Sequence, residues 1–176
     1  LYLPIAANGY QKQSHAVTHI VSSAGETLWE IAPPEQQIIS TQASYLLSYA
    51  LVEVAKRGTA RSLTWRHKDK TLAGKTGTTN EQRDSWYIGY DDKHLVTAWV
   101  GRDDNQPTEL TGSSGALVLY ADFMAQQGVV DKQLVMPEGI ESIRFEKETG
   151  NTISLPVIRK IIRNSKRRGC LLRRGL

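Results

Sequence analysis

The sequence predicts an α/β fold of the α+β kind, an antiparallel sheet flanked by helices. Two observations carry this reading. Residues 40–57 repeat apolar side chains at helical spacing, and three strand-like runs follow at 71–79, 84–90 and 94–102 before a second helical stretch. The polar turn Asp91-Asp92-Lys93 makes the last two strands antiparallel neighbours.

Near the start, 17–23 and 26–31 are short β-rich runs around Ala24-Gly25, read as a hairpin that Pro33-Pro34 ends. In the first helix the apolar positions are Ala43, Leu46, Leu47, Ala50, Leu51, Val54 and Ala55. Ser40 or Thr41 is expected to cap its start. Lys56 and Arg57 suit the negative end of its dipole, and Gly58 suits a left-handed stop. The second helix is expected from a cap at Ser113 or Ser114 to about Gln126, with Gly128 as terminator. Gly101–Leu110 is polar, contains Pro107 and reads as a loop; from 129 onward the pattern decays.

At 176 residues, with 40% apolar and 23% charged residues, the chain suits one domain with a real core, or a large piece of one. No apolar run approaches the ~20 residues needed to span a bilayer. The chain starts at Leu1 and its only methionines are Met124 and Met136, so a fragment is expected. The single cysteine, Cys170, excludes an internal disulfide. Charge is unevenly placed: residues 157–176 carry eight Lys/Arg and no acid, and subtracting them from the net +4 leaves residues 1–156 at −4. A basic tail of this kind fits either a disordered extension or a nucleic-acid or anionic-membrane arm. The disordered extension is the reading adopted, with no nucleic-acid partner.

The chemistry concentrates at Leu72-Ala73-Gly74-Lys75-Thr76-Gly77-Thr78-Thr79. A phosphate-binding loop would need glycine at 69 and a helix afterwards; position 69 is Asp69, and strand follows. A nucleotide cofactor is therefore excluded, and no other cofactor is expected. On a strand, Lys75 and Gly77 share one face and Thr76 and Thr78 the other. Twist at a sheet edge can bring the ammonium and the hydroxyls to one rim. Gly77 lets a substrate backbone lie close, and the Thr78 N–H can donate to an oxyanion. His15 and His19 have the spacing of a helical zinc pair, but a strand would separate them by ~13 Å, so no metal site is expected.

Residues 36–127 contain five ordered blocks that resemble the transpeptidase domain of class A penicillin-binding proteins of the bifunctional 1B type. They are Val54–Ala60, Leu72–Asn80, Asp84–Tyr90, Thr97–Pro107 and Thr111–Ala116. Ile5-Ala6-Ala7-Asn8-Gly9-Tyr10 is similar to that family's Ala-Asn-Gly segment, which extends the likeness to residues 5–127. The resemblance implies a β-lactamase/transpeptidase-like fold. It divides the chain into the C-terminal portion of that domain at 1–128, an extension at 129–156 and the basic tail at 157–176.

The same resemblance implies catalytic roles for Lys75, which would stabilise charge near a nucleophile, and Thr78, which would supply the oxyanion N–H. Thr76, Gly77 and Thr79 would bind substrate, while Asp84 and Trp86 would be structural. The implied partners are peptidoglycan stem peptides and β-lactams, with other cell-wall synthesis proteins besides. The implied setting is the periplasmic face of the bacterial inner membrane, reached through an upstream anchor and glycosyltransferase domain. The family's Ser-x-x-Lys and Ser-x-Asn motifs occur nowhere in the 176 residues. Serine attack needs a base-activated hydroxyl, so the chain by itself is expected to be an inactive half of the site. The rival expectations are a non-catalytic half-domain that binds partners or wall, and a basic-tailed nucleic-acid binder.

Overall fold

The computed structural model describes residues 1–153, apart from Pro33 and Lys147, and 169–173; at Lys12 and 169–173 only the backbone is described. The expected disordered tail lies outside the described residues except for 169–173. Two compact units are present, Leu1–Val135 and Met136–Leu176.

In the first unit, helix α1 (Leu3–Ala6) leads into β1 (Tyr10–Lys12). The β2 (His19–Val21) and β3 (Thr27–Glu30) hairpin follows, then β4 (Glu35–Gln37), which returns to pair antiparallel with β1. The hairpin falls where the sequence places it, and its strand side chains are all exposed. Asn8 and Gly9 have φ of 54° and 100°. A Cβ on Gly9 would fall on the Ile39 carbonyl, and the Gly9 carbonyl accepts from both Ile38 and Ile39 N–H. Only glycine combines that left-handed turn with so close a crossing.

Helix α2 (Thr41–Arg57) matches the expected span, and the Ser40 hydroxyl accepts from Ala43 N–H at 3.3 Å. Two details differ from expectation. Gly58 ends the helix at φ −97°, not in the left-handed region; glycine is required because a Cβ would lie 2.9 Å from the Val54 carbonyl oxygen. The deeply buried positions are Ser44, Ser48, Val52 and Ala55, whereas Leu47 and Ala50 of the apolar stripe are exposed. The two serines are small enough to admit close neighbours and are satisfied there. Ser44 donates to the Ile5 carbonyl at 2.8 Å, and the Ser48 and Tyr90 hydroxyls are 2.9 Å apart.

After the short α3 (Leu63–Arg66), the strands β5 (Ala73–Thr78), β6 (Ser85–Tyr90) and β7 (Leu95–Val100) form an antiparallel sheet in that order. Helix α4 (Ala116–Gln127) closes one face of it. Tyr87 of β6 and Tyr120 of α4 are both fully buried, with ring centroids 4.6 Å apart in an edge-on arrangement. Burial pushes both phenols above their ordinary pKa. Gly74 and Gly89 make room for these rings: a Cβ on Gly74 would fall on the Tyr87 hydroxyl, and one on Gly89 would lie 2.6 Å from Tyr87 Cε1 and 2.8 Å from Tyr120 Cζ. The expected serine cap of α4 is replaced. Ser85 supplies its hydroxyl from β6 to Ala116 N–H at 2.8 Å, because Ser113 and Ser114 are engaged by Thr111 in the preceding turn. Gly128 ends α4 at φ 79°, as expected.

Residues 129–133 are strapped across the β6–β7 turn. Asp91 accepts N–H groups of Lys93 and His94 on one oxygen and of Val130 on the other. Asp92 accepts Lys132 Nζ at 2.8 Å and Gln133 N–H at 3.0 Å, and Asp131 accepts Thr71 N–H at 2.7 Å. In the second unit, β8 (Ile140–Arg144) pairs antiparallel with β9 (Gly169–Arg173). Among the described residues no helix is long and apolar enough to cross a membrane.

Two outcomes test this account. Gly89→Ala overpacks the tyrosine pair and is expected to cost about 1–3 kcal/mol of stability in urea unfolding; an unchanged midpoint would remove the glycine from the argument. Burial alone would raise the Asp91 carboxyl, but the N–H bonds from Val130, His94 and Lys93 hold it below its ordinary value of 3.8. The stabilisation is therefore complete above that value and disappears as pH falls through the lower folded-state value. Asp91→Asn should flatten the acid limb of stability measured by unfolding across that range, and an identical acid limb would contradict the assignment.

Candidate active site

Strand β5 is an edge strand, and its hydrogen-bond phase decides what it offers outward. Thr79 N–H donates to the Asp84 carbonyl at 3.1 Å, so 79–84 is a hydrogen-bonded pair. Alternation along the register makes 77–86 and 75–88 hydrogen-bonded pairs as well. Thr76 and Thr78 are the intervening positions, and they turn their N–H and C=O groups away from β6 to the open side. The side chains divide as their spacing predicts. Lys75 and Gly77 share a face with Trp86, Ile88, Thr97 and Trp99; Thr76 and Thr78 share the opposite face with Ser85, Tyr87 and Ala98.

Lys75 is exposed and folds back onto the edge, donating from Nζ to the Thr76 carbonyl at 2.7 Å and reaching its hydroxyl at 3.5 Å. The Thr76 hydroxyl also lies 2.7 Å from that of Thr59 in the turn after α2. Lys75, Thr76 and Thr59 therefore converge. The hydroxyls of Thr78 and Thr79 go elsewhere. Thr78 Oγ1 accepts Gly112 N–H at 2.9 Å, while Thr79 Oγ1 donates to Asp84 Oδ2 at 3.0 Å and accepts Asp84 N–H at 2.8 Å. Asp84 uses its other oxygen to take Trp99 Nε1–H at 3.0 Å, which ties the tip of the β5–β6 connection to β7.

A Cβ on Gly77 would stand 3.2 Å from Trp86 Cβ and meet no other residue within 4 Å. Across the strand, Gly112 rests on the 77–86 pair so closely that a Cβ would lie 2.6 Å from the Gly77 oxygen and 2.8 Å from the Trp86 oxygen. Arg83 Nη1 donates to the Asn105 carbonyl, and Thr108 N–H and hydroxyl both donate to the Gln82 carbonyl, so the 101–110 loop is stitched beneath this end of the strand. Thr59 and Gly112 are the contacts that sequence reasoning missed as individuals. Both sit inside the ordered blocks, Val54–Ala60 and Thr111–Ala116, which was the available signal.

Chemically, the edge presents an extended backbone docking surface, a cation over Thr76 and an outward N–H at Thr78. It holds no activated nucleophile. Ser85 and Ser114 bond the 111–116 turn, Ser113 bonds Thr111, and among the described residues no serine hydroxyl is bonded to a lysine.

Residues 1–120 match the family model described as the penicillin binding protein transpeptidase domain. The chain is 39% identical over 155 residues to Penicillin-binding protein 1B of Vibrio cholerae, covering 88% of this chain and 20% of that protein. It is 38% identical over 149 residues to Penicillin-binding protein 1B of Escherichia coli, covering 85% and 18% respectively. The chain thus spans about a fifth of the length of these relatives. Among solved structures, Penicillin-Binding Protein 1A from Haemophilus influenzae superposes with a TM-score of 0.78 at 19% identity, over 97% of this chain and 30% of that one. That likeness establishes the transpeptidase-type fold for the arrangement of helices and sheet described above.

Proposed function

The chain belongs to the penicillin-binding protein transpeptidase domain family, and we propose that it supplies the substrate-holding edge of a serine acyl-transfer site. The observation that carries this reading is the outward N–H and C=O of Thr76 and Thr78 on an edge strand, with Lys75 Nζ 2.7 Å from the Thr76 carbonyl. An extended peptide or a β-lactam lies along that edge. The Thr76 hydroxyl, already within 2.7 Å of the Thr59 hydroxyl, holds the ligand carboxylate. Lys75 exchanges its contact with the Thr76 carbonyl for the negative charge that develops near the nucleophile. The Thr78 N–H donates to the oxyanion, and Gly112 keeps that residue's side chain pinned away from the ligand. Thr79 shapes the turn through Asp84.

The reaction in the whole protein is transfer of the acyl group of a D-Ala-D-Ala stem peptide to a serine, with loss of the terminal D-Ala. A neighbouring amine then attacks the ester, forms the cross-link and releases the serine. The serine and its base come from other parts of the polypeptide, since Ser-x-x-Lys occurs nowhere in these 176 residues. The same reading makes the whole protein a bifunctional peptidoglycan synthase, anchored at the inner membrane with this domain in the periplasm.

Fluorescent penicillin tests the proposal on the full-length polypeptide that carries this sequence. A serine outside residues 1–176 should be labelled, and Lys75→Ala should slow labelling by roughly 10²-fold, the scale for loss of a group that stabilises transition-state charge. The 176-residue chain alone should take no label. A folded full-length protein that is never labelled, or labelling of the isolated chain at one of its own serines, would overturn it.

A further inference from the structure

The ligand carboxylate falls to the Thr76 hydroxyl, and the partners of that hydroxyl decide whether it can donate. A threonine hydroxyl carries one proton and two acceptor lone pairs. Two donors stand near the Thr76 oxygen. Lys75 Nζ is already given to the Thr76 carbonyl at 2.7 Å and reaches the hydroxyl only at 3.5 Å. Thr59 Oγ1 is 2.7 Å away, the ordinary length of a bond between hydroxyls, and either oxygen can be the donor. At that separation one proton lies between the two oxygens. The pair therefore has a single proton left for a ligand, and the direction of the bond decides which residue holds it.

The backbone fixes where Thr59 stands. Gly58 closes α2 by donating its N–H to the Val54 carbonyl at 2.9 Å, and a Cβ there would lie 2.9 Å from the same oxygen. Ala60 is fully buried in the core beside Leu63, Leu72 and Tyr87, and its carbonyl accepts Leu63 N–H at 3.0 Å. Thr59 is thus an exposed side chain on backbone anchored at both neighbours. It meets a strand seventeen residues further on. Water could satisfy either hydroxyl at this open site, so the contact adds little to stability. What it supplies is direction.

We propose that Thr59 is a positioning residue: its hydroxyl donates to Thr76 Oγ1 and so turns the Thr76 proton outward, toward the carboxylate of a bound peptide or β-lactam. The inference rests on the reading that Thr76 holds that carboxylate, and it adds a residue that acts through Thr76. The anion itself selects this order. With both protons pointing toward it, the first bond polarises the second and strengthens it. The opposite order would aim lone pairs of the Thr76 oxygen at a negative charge.

The test uses the full-length polypeptide and two fluorescent penicillins that differ only in carrying the carboxylate or a neutral carboxamide in its place, with labelling rates compared. The wild-type protein should label faster with the carboxylate. Thr59→Val removes the hydroxyl and keeps the shape, and should lower the carboxylate rate about fivefold, the scale of one hydrogen bond. The carboxamide rate should fall by no more than about twofold, since a bond to a neutral acceptor is roughly half as strong, and its persistence reports an intact fold. Thr59→Ser should keep the wild-type preference. In a Thr76→Val background, Thr59→Val should cost nothing further, because Thr59 acts only through the Thr76 hydroxyl. A valine variant that keeps the full preference or loses both rates alike, a serine variant that behaves like valine, or an undiminished loss in the Thr76→Val background overturns the role of Thr59 alone. A folded wild-type protein that takes neither label, or takes both at equal rates, overturns the reading of the Thr76 edge on which that role rests.

Discussion

The packing of Tyr87 on Tyr120, above two glycines, is the constraint from which the rest of the first unit follows. Two buried rings with centroids 4.6 Å apart fix how near α4 comes to the sheet, and Gly74 and Gly89 are the positions where a side chain would force them apart. With α4 seated, its first turn must meet β6, and it does so through the Ser85 hydroxyl, which accepts from Ala116 N–H and donates to the Thr111 carbonyl. That pair of bonds brings the 111–115 turn down onto the 77–86 pair, where only a residue without a Cβ fits. Gly112 N–H then donates to the Thr78 hydroxyl and holds the end of β5 from the sheet face that carries Thr78. A contact in the core thus sets the posture of a strand at the surface.

An open strand edge with unpaired N–H and C=O groups is ordinarily a route to unwanted pairing. Here Lys75 covers the Thr76 carbonyl with its own ammonium, and Thr59 approaches from the α2–α3 turn. These contacts are short-range, polar and made by side chains, so on the proposed reading an incoming peptide replaces them. The rigid part of the strand is its other side, held by β6, Gly112 and the Asp84 bracket between Thr79 and Trp99. On the proposed reading, binding and protection use the same edge, with firmness on the inner side and exchangeable contacts on the outer side.

The two long helices and the three-stranded sheet were legible in the sequence because each is governed by periodicity and local punctuation: the 3.6-residue rhythm of 40–57, the Asp91-Asp92 turn, and Gly128. What sequence reasoning missed depends on partners distant along the chain. The buried stripe of α2 runs through Ser44 and Ser48 because Ile5 and Tyr90 satisfy them, and no hydrophobicity pattern encodes a hydroxyl that is paired. The cap of α4 comes from Ser85, thirty-one residues earlier, although two nearer serines look better placed. Gly58 and Gly112 are glycines required by proximity rather than by dihedral angle, a distinction invisible until the neighbouring backbone is located. In the site, the alternation of Lys75 and Gly77 against Thr76 and Thr78 could be read from the residues, whereas the phase of the hydrogen bonds could not. That phase rests on the 79–84 pair, and it decides that Thr76 and Thr78, rather than Lys75 and Gly77, present the backbone.

Charge placement links the strand edge to the rest of the molecule. The acidic side chains near it are already committed: Glu53 to Arg57, Glu81 to Arg83, and Asp84 to Thr79 and Trp99. Farther out, Arg102 holds the exposed Asp104 carboxyl down to about 2, so that acid too stays ionised and paired. Lys75 and Arg61 are left as cations without a carboxylate partner among the described residues, although residues 1–156 as a whole carry a net −4. Exposed pairs contribute little to stability, and their arrangement matters more for the field they leave. Glu53 and Glu81 are paired with arginines, whereas Asp84 is held only by neutral donors and keeps its negative charge. On the proposed reading, an anionic ligand meets the Lys75 ammonium where the backbone groups of Thr76 and Thr78 are open.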